Sequence, residues 1–169
     1  MKNIFKIGSI ALLSLAFVLP TEGQAQSIKD YKLFLDPGHS KKENQGLYNY
    51  SEAEKTLRVA LAVREYLYQF SDIDTVYLCR QTDNEQIELA GRTDMANALD
   101  ADFYYSIHSD AGTGDANSTL TMYGGWKTDG VVIEKTPNGG KAFGEILNPD
   151  LDGVMKLPTR GNLADRTYY

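Results

Sequence analysis

The sequence predicts an α/β fold, an open and mainly parallel sheet flanked by helices. Three observations carry this reading. Short apolar runs at Lys32–Leu35, Thr75–Cys79 and Phe103–Ile107 read as buried strands. Helical periodicity fills the intervals between them. The resulting order, β-α-β-α-β, is that of parallel strands joined by right-handed crossovers.

Residues 1–25 read as a secretory signal peptide: Lys2 and Lys6 form a positive start, Ile7–Leu19 is apolar, and Gly23-Gln24-Ala25 is a small-x-small cleavage site. The apolar stretch is shorter than the ~20 residues a membrane span needs. Cleavage and export are therefore expected, with no membrane span afterwards and a secreted or periplasmic domain over residues 28–169. Strand Lys32–Leu35 gives way to a Gly/Asn/Lys loop over Gly38–Asn49. A helix is expected over Glu52–Phe70, with Val59, Ala60, Val63, Leu67 and Phe70 on its apolar face. Next come strand Thr75–Cys79, a helix over Ile87–Leu99 with Asn84 or Glu85 near its start, and strand Phe103–Ile107. A polar, Gly-rich stretch, Ser109–Asn117, precedes a strand over Thr119–Tyr123. Gly124–Pro137 reads as loop and Gly140–Leu147 as a short helix. Beyond Asn148 the Asp, Gly and Pro content leaves no assigned element.

Composition narrows the function. The 169-residue chain has a formal net charge of −6 and no Lys/Arg block, so nucleic acid is not an expected partner. The single cysteine, Cys79, has no internal disulfide partner and lies in a strand-like run, where it serves as a small buried hydrophobe. There is no Gly-x-Ser-x-Gly elbow for a serine nucleophile, no Walker A motif and no Gly-x-Gly-x-x-Gly.

What remains is the pair of histidines, the only two in the chain. His39 ends the run Lys32-Leu33-Phe34-Leu35-Asp36-Pro37-Gly38-His39, and His108 ends Phe103-Tyr104-Tyr105-Ser106-Ile107-His108. If the two strands are parallel neighbours, both imidazoles reach the carboxyl edge of the sheet, where ligands of open α/β sheets gather. Two histidines and one carboxylate with an open fourth position describe a hydrolytic zinc site. Each histidine also has a plainer explanation, as an exposed turn residue or one satisfied by backbone. Asp36 is placed to accept a hydrogen bond from the loop or to orient a ligand. Glu54 carries two readings. It completes a capping box with Ser51, which is what the spacing favours, or it is the carboxylate ligand near His39. Glu52 is also available, although an acid in the first helical turn is ordinarily explained by the helix dipole.

These residues resemble the zinc-dependent N-acetylmuramoyl-L-alanine amidases of the type-3 class, peptidoglycan hydrolases of the cell wall. Five stretches match in order over Leu33–Tyr123. Leu33–His39 resembles the first strand and first zinc histidine. Glu54-Lys55-Thr56-Leu57-Arg58-Val59-Ala60 resembles the segment of the glutamate ligand. Leu78–Asp83 resembles a Thr-Arg-x-x-Asp stretch, Leu89-Ala90-Gly91-Arg92 through Asn97 a Leu-x-x-Arg…Ala-Asn helix, and Ser106-Ile107-His108 the second histidine motif. Two departures stand out. Asp110 replaces the Asn that many members carry two residues after the second histidine. The family's late-strand glutamate has no counterpart before Tyr169, since Glu134 precedes the Gly140–Leu147 helix and Glu145 lies within it.

The resemblance implies that His39, Glu54 and His108 bind Zn²⁺. Bound water then has a pKa of ~7 and attacks the amide between N-acetylmuramic acid and L-alanine. It further implies a monomer acting on peptidoglycan muropeptides, with the general-base glutamate expected beyond Tyr169 and the domain therefore truncated. A non-catalytic peptidoglycan-binding module of the same fold is the alternative, and a different zinc peptidase on a similar sheet is a third reading.

Overall fold

The computed structural model describes residues 26–46, 49–109, 117–128, 131–134 and 139–165. The expected signal peptide, Asp110 and most of the Gly-rich stretch after it lie outside them. The chain divides into two compact units, residues 26–111 and a second containing Gly112–Tyr169.

The first unit is built on β1 (Lys32–Pro37), α1 (Glu52–Phe70), β2 (Thr75–Leu78), α2 (Leu89–Ala98) and β3 (Phe103–Ile107). The sheet order is β2-β1-β3, with β1 in the centre and both pairings parallel. A central strand covered on both faces must be apolar on both, and Leu33, Phe34 and Leu35 are all buried. Phe34 packs with Cys79 and Ala96, and Met95 of α2 and Leu99 just past its end close the same cluster. Strand alternation turns Leu33 and Leu35 to the opposite face, and α1 packs on β1.

Helix α1 starts where the capping box predicts. The Ser51 hydroxyl accepts from the Glu54 backbone N–H at 3.1 Å, and the Glu54 carboxylate reaches back to the Ser51 N–H at 3.3 Å. The buried face is Ala53, Thr56, Leu57, Ala60 and Leu67, rotated from the expected one: Val59 and Phe70 are exposed. Thr56 turns inward because its hydroxyl donates to the Gly38 carbonyl at 2.8 Å, a partner that hydropathy does not register. Helix α2 begins two residues later than expected. Glu85 does not cap it. Its carboxylate accepts from the Gln81 and Thr82 N–H groups at 3.0 and 2.7 Å and so closes the turn after β2.

The second unit contains β4 (Thr119–Thr128), β5 (Val131–Glu134), α3 (Gly140–Met155) and β6 (Thr159–Asp165). Its sheet order is β5-β4-β6, with β4–β5 antiparallel and β4–β6 parallel. Here the structure differs from the expectation. Gly124-Gly125 continues β4 rather than ending it, and the expected loop contains the β4–β5 hairpin. The short helix runs through Pro149 to Met155, and the unassigned tail supplies β6. Polar side chains tie this unit together. The Thr121 hydroxyl donates to Asn162 Oδ1 at 2.9 Å, and Asn162 Nδ2 donates to the Lys141 carbonyl at 2.9 Å. Gly144 faces that amide, and a Cβ there would fall 2.2 Å from Asn162 Oδ1. Hydrophobic periodicity alone gives no hint of such packing.

Candidate metal centre

The β1–β3 register places Pro37 opposite Ile107, so the chain leaves both strands at the same level. His108 follows directly, and His39 follows after Gly38. Their ring centroids lie 5.0 Å apart, with planes at 84°. This close approach depends on Gly38. A Cβ at that position would lie 2.3 Å from His108 Cε1 and 2.6 Å from Nε2. A glycine in a strand-ending turn suggests an unusual backbone at Gly38, but the left-handed residue is His39, with φ 59°. Gly38 is needed for its missing side chain.

The third group is Glu52, the first residue of α1, rather than Glu54. Its Oε2 lies 3.3 Å from His39 Nε2 and its Oε1 lies 3.2 Å from His108 Nδ1. One nitrogen or oxygen from each of His39, Glu52 and His108 lies within 4.8 Å of the others, a grouping able to hold a metal ion. Glu54 is not free to join it. Its carboxylate is held by the Ser51 hydroxyl at 2.9 Å and by the Ser51 N–H. The capping box is itself the signal that separates the two acids. A glutamate at the third helical position bends back to the cap, which leaves the one at the first position to face the strand ends.

Glu52 is nearly buried, at 8% exposure. Burial pushes its carboxyl pKa up. Hydrogen bonds from the Asn44 amide (3.0 Å) and the Ser109 N–H (2.7 Å), with the two imidazoles adjacent, outweigh burial and hold it below the usual carboxylate range. The group is therefore an anion at neutral pH, the form a metal requires. Asn44 Nδ2 also lies 2.9 Å from His39 Nε2. Behind His39, Nδ1 faces the Glu43 carboxylate at 3.6 Å, beyond hydrogen-bond distance. Loop residues Glu43 and Asn44 are themselves anchored, since their carbonyls accept from the Ala53 and Glu52 N–H groups at the start of α1. Nothing in the sequence marks Asn44, Glu43 and Ser109, because their role is local to a loop geometry.

Asp36 does not orient a histidine. Its carboxylate pairs with Arg92 Nη1 at 2.5 Å and accepts from the Tyr104 hydroxyl at 2.5 Å and from Ser106 Oγ at 3.2 Å. Glu145 is an exposed residue of α3 paired with Lys141 at 3.8 Å. Glu134 ends β5.

The chain is similar to several known proteins. A family model described as N-acetylmuramoyl-L-alanine amidase (Amidase_3) matches residues 33–168. The N-acetylmuramoyl-L-alanine amidase CwlM of Bacillus licheniformis is 38% identical over 84 residues, 49% of this chain and 33% of that protein. The sporulation-specific N-acetylmuramoyl-L-alanine amidase of Bacillus subtilis (strain 168) is 37% identical over 84 residues, 49% of this chain and 32% of its own length. The chain thus spans about a third of the length of the curated relatives it matches. Among solved structures, the catalytic domain of CwlV, an N-acetylmuramoyl-L-alanine amidase from Bacillus (Paenibacillus) polymyxa var. colistinus, aligns with a TM-score of 0.65 and 24% identity over 81% of this chain and 71% of that one. The N-acetylmuramoyl-L-alanine amidase of Clostridium difficile 630 aligns with a TM-score of 0.60 and 26% identity over 80% of this chain and 70% of that one.

Proposed function

This chain belongs to the N-acetylmuramoyl-L-alanine amidase family Amidase_3, and from that premise we propose that it hydrolyses the amide between N-acetylmuramic acid and L-alanine in peptidoglycan, with zinc held by His39, Glu52 and His108. The observation that carries the reading is the convergence of two imidazoles and one ionised carboxylate at the carboxyl edge of a parallel sheet. The donor set suits zinc, being nitrogen and oxygen ligands of a hydrolytic site. It is preferred to the set with Glu54, whose carboxylate is committed to Ser51.

Zinc bound there supplies a Lewis acid for the amide carbonyl and a water with a pKa of ~7. The chain's own residues prepare that chemistry. The Ser109 N–H and the Asn44 amide fix the Glu52 carboxylate, and the Glu43 carboxylate faces His39 Nδ1. Gly38 clears the space that lets the second imidazole approach the first. A wall substrate agrees with the expected leader at residues 1–25, which would carry the protein out of the cytoplasm. No helix among the described residues is long and apolar enough to cross a membrane.

The test is release of new L-alanine amino termini from purified peptidoglycan. The protein should release them, lose the activity to a chelator and regain it with zinc. His39→Ala and His108→Ala should be inactive. Binding to peptidoglycan without new amino termini would instead establish a wall-binding module.

A further inference from the structure

Two buried arginines lie under the metal site, and the proposed chemistry gives neither a direct part. Arg80 is 0% exposed and Arg92 5%. Burying a guanidinium costs several kcal/mol, and well-packed apolar residues of similar volume often fill such space at no loss of stability. Donors of both side chains converge on one short stretch of backbone, while others reach Ala53, Thr56, Thr82, Ile87 and Asp36. Arg80 Nε and Arg92 Nη1 each donate to the Pro37 carbonyl at 3.0 Å. Arg80 Nη2 donates to the Gly38 carbonyl at 3.0 Å, beside the Thr56 hydroxyl at 2.8 Å. Arg92 Nη2 donates to the His39 carbonyl at 3.2 Å. Three successive carbonyls, ending on His39, are thus held by two rigid forks.

That stretch has reason to be held. His39 is left-handed at φ 59°, a conformation that is strained for a non-glycine residue and persists where the surroundings over-determine it. Lys41, Lys42 and Asn44 are left-handed as well, so the backbone just beyond His39 does not offer a relaxed alternative. The charges are balanced locally. Asp36 pairs with Arg92 at 2.5 Å, and Asp83 lies 3.7 Å from Arg80 Nη1. Asp83 Oδ2 also accepts from the Lys42 N–H at 2.8 Å, which ties the Arg80 segment to the loop a second time.

We propose that Arg80 and Arg92 are positioning residues of the metal centre: they clamp the Pro37-Gly38-His39 carbonyls and so set the aim of the His39 imidazole. The proposal rests on the metal reading above and adds a role to it. Lysine is no substitute, because a single ammonium cannot reproduce a planar fork that serves two or more carbonyls.

The experiment measures the affinity for zinc alone, by competition with a chromophoric chelator, and uses His39 as the discriminator. Arg80→Lys and Arg92→Lys are made in the parent, in His108→Ala, which keeps His39, and in His39→Ala. Each should weaken zinc binding about 10–100-fold, the range that groups supporting metal ligands command, in the parent and in the His108→Ala protein. Neither should weaken it in His39→Ala, where the aimed ligand is gone. Equal losses in both two-ligand backgrounds, or no loss where His39 is kept, would overturn the proposal by reducing the arginines to general supports of the fold. Zinc affinity indifferent to His39→Ala and His108→Ala would instead overturn the metal reading itself. Urea unfolding of each metal-free protein reports folding. Should an arginine variant not fold, Thr56→Val removes a hydroxyl bond to the same Gly38 carbonyl, and one acceptor of Arg80, while keeping both guanidiniums. It carries the same cycle, with a smaller loss in the same direction expected.

Discussion

Replacing Glu52 and Glu54 by glutamine, one at a time, separates two acids that differ by half a helical turn. The Glu52 oxygens face His39 Nε2 at 3.3 Å and His108 Nδ1 at 3.2 Å. Glutamine keeps the shape, and its amide oxygen still accepts from the Ser109 N–H. Its NH₂ group, however, meets the Asn44 amide, itself a donor to this carboxylate at 3.0 Å. The anionic ligand is lost outright. Groups that only support a ligand are worth 10–100-fold in metal affinity, so loss of a ligand should cost at least ~100-fold, close to 3 kcal/mol at about 1.4 kcal/mol per factor of ten. Glu54→Gln meets nothing at the metal centre. Its bonds run to Ser51, and it should lower the melting temperature slightly and leave zinc affinity unchanged. Chelator competition and thermal melts on both variants decide the matter. Collapse of zinc affinity in Glu54→Gln with retention in Glu52→Gln would refute the assignment and the geometry behind it.

One further substitution and one reagent probe single positions. Gly38→Ala places a Cβ 2.3 Å from His108 Cε1, so the ring must swing away. Zinc affinity should fall while the metal-free protein still folds, as read by chelator competition beside urea unfolding, and unchanged affinity would count against the packing argument. Cys79 is 2% exposed, and burial, reinforced by the nearby Asp36 carboxylate, pushes its thiol up to about 12. A thiol reagent at neutral pH should label it only after unfolding. Because the unfolded thiol ionises first, near its ordinary 9.0, this group's contribution to stability is intact below that pH and is lost as pH rises toward about 12, which urea midpoints across that window would reveal.

How much of the fold and the site is legible in the sequence depends on the kind of information each residue carries. Strand and helix periodicity places β1, β2 and β3, and the two strand-end histidines locate the centre, because parallel strands deliver the residues at their carboxyl ends to one edge. The second unit is far less legible. Gly124-Gly125 and Pro149 look like breaks locally, yet they lie inside a strand and a helix that tertiary pairing sustains. Periodicity also misplaces the α1 face at Val59, because Thr56 is buried by a hydrogen bond rather than by hydropathy.

The sequence by itself therefore determined the α/β architecture of the first unit, the histidine pair and the Ser51 cap, since each is set by spacing along the chain. Only the tertiary structure decided that Glu52 rather than Glu54 faces the imidazoles, that Gly38 is required for the space it leaves, and that Arg80 and Arg92 meet at the His39 turn. Those facts depend on where side chains from distant segments converge, and periodicity measures directions along one element, not distances between elements.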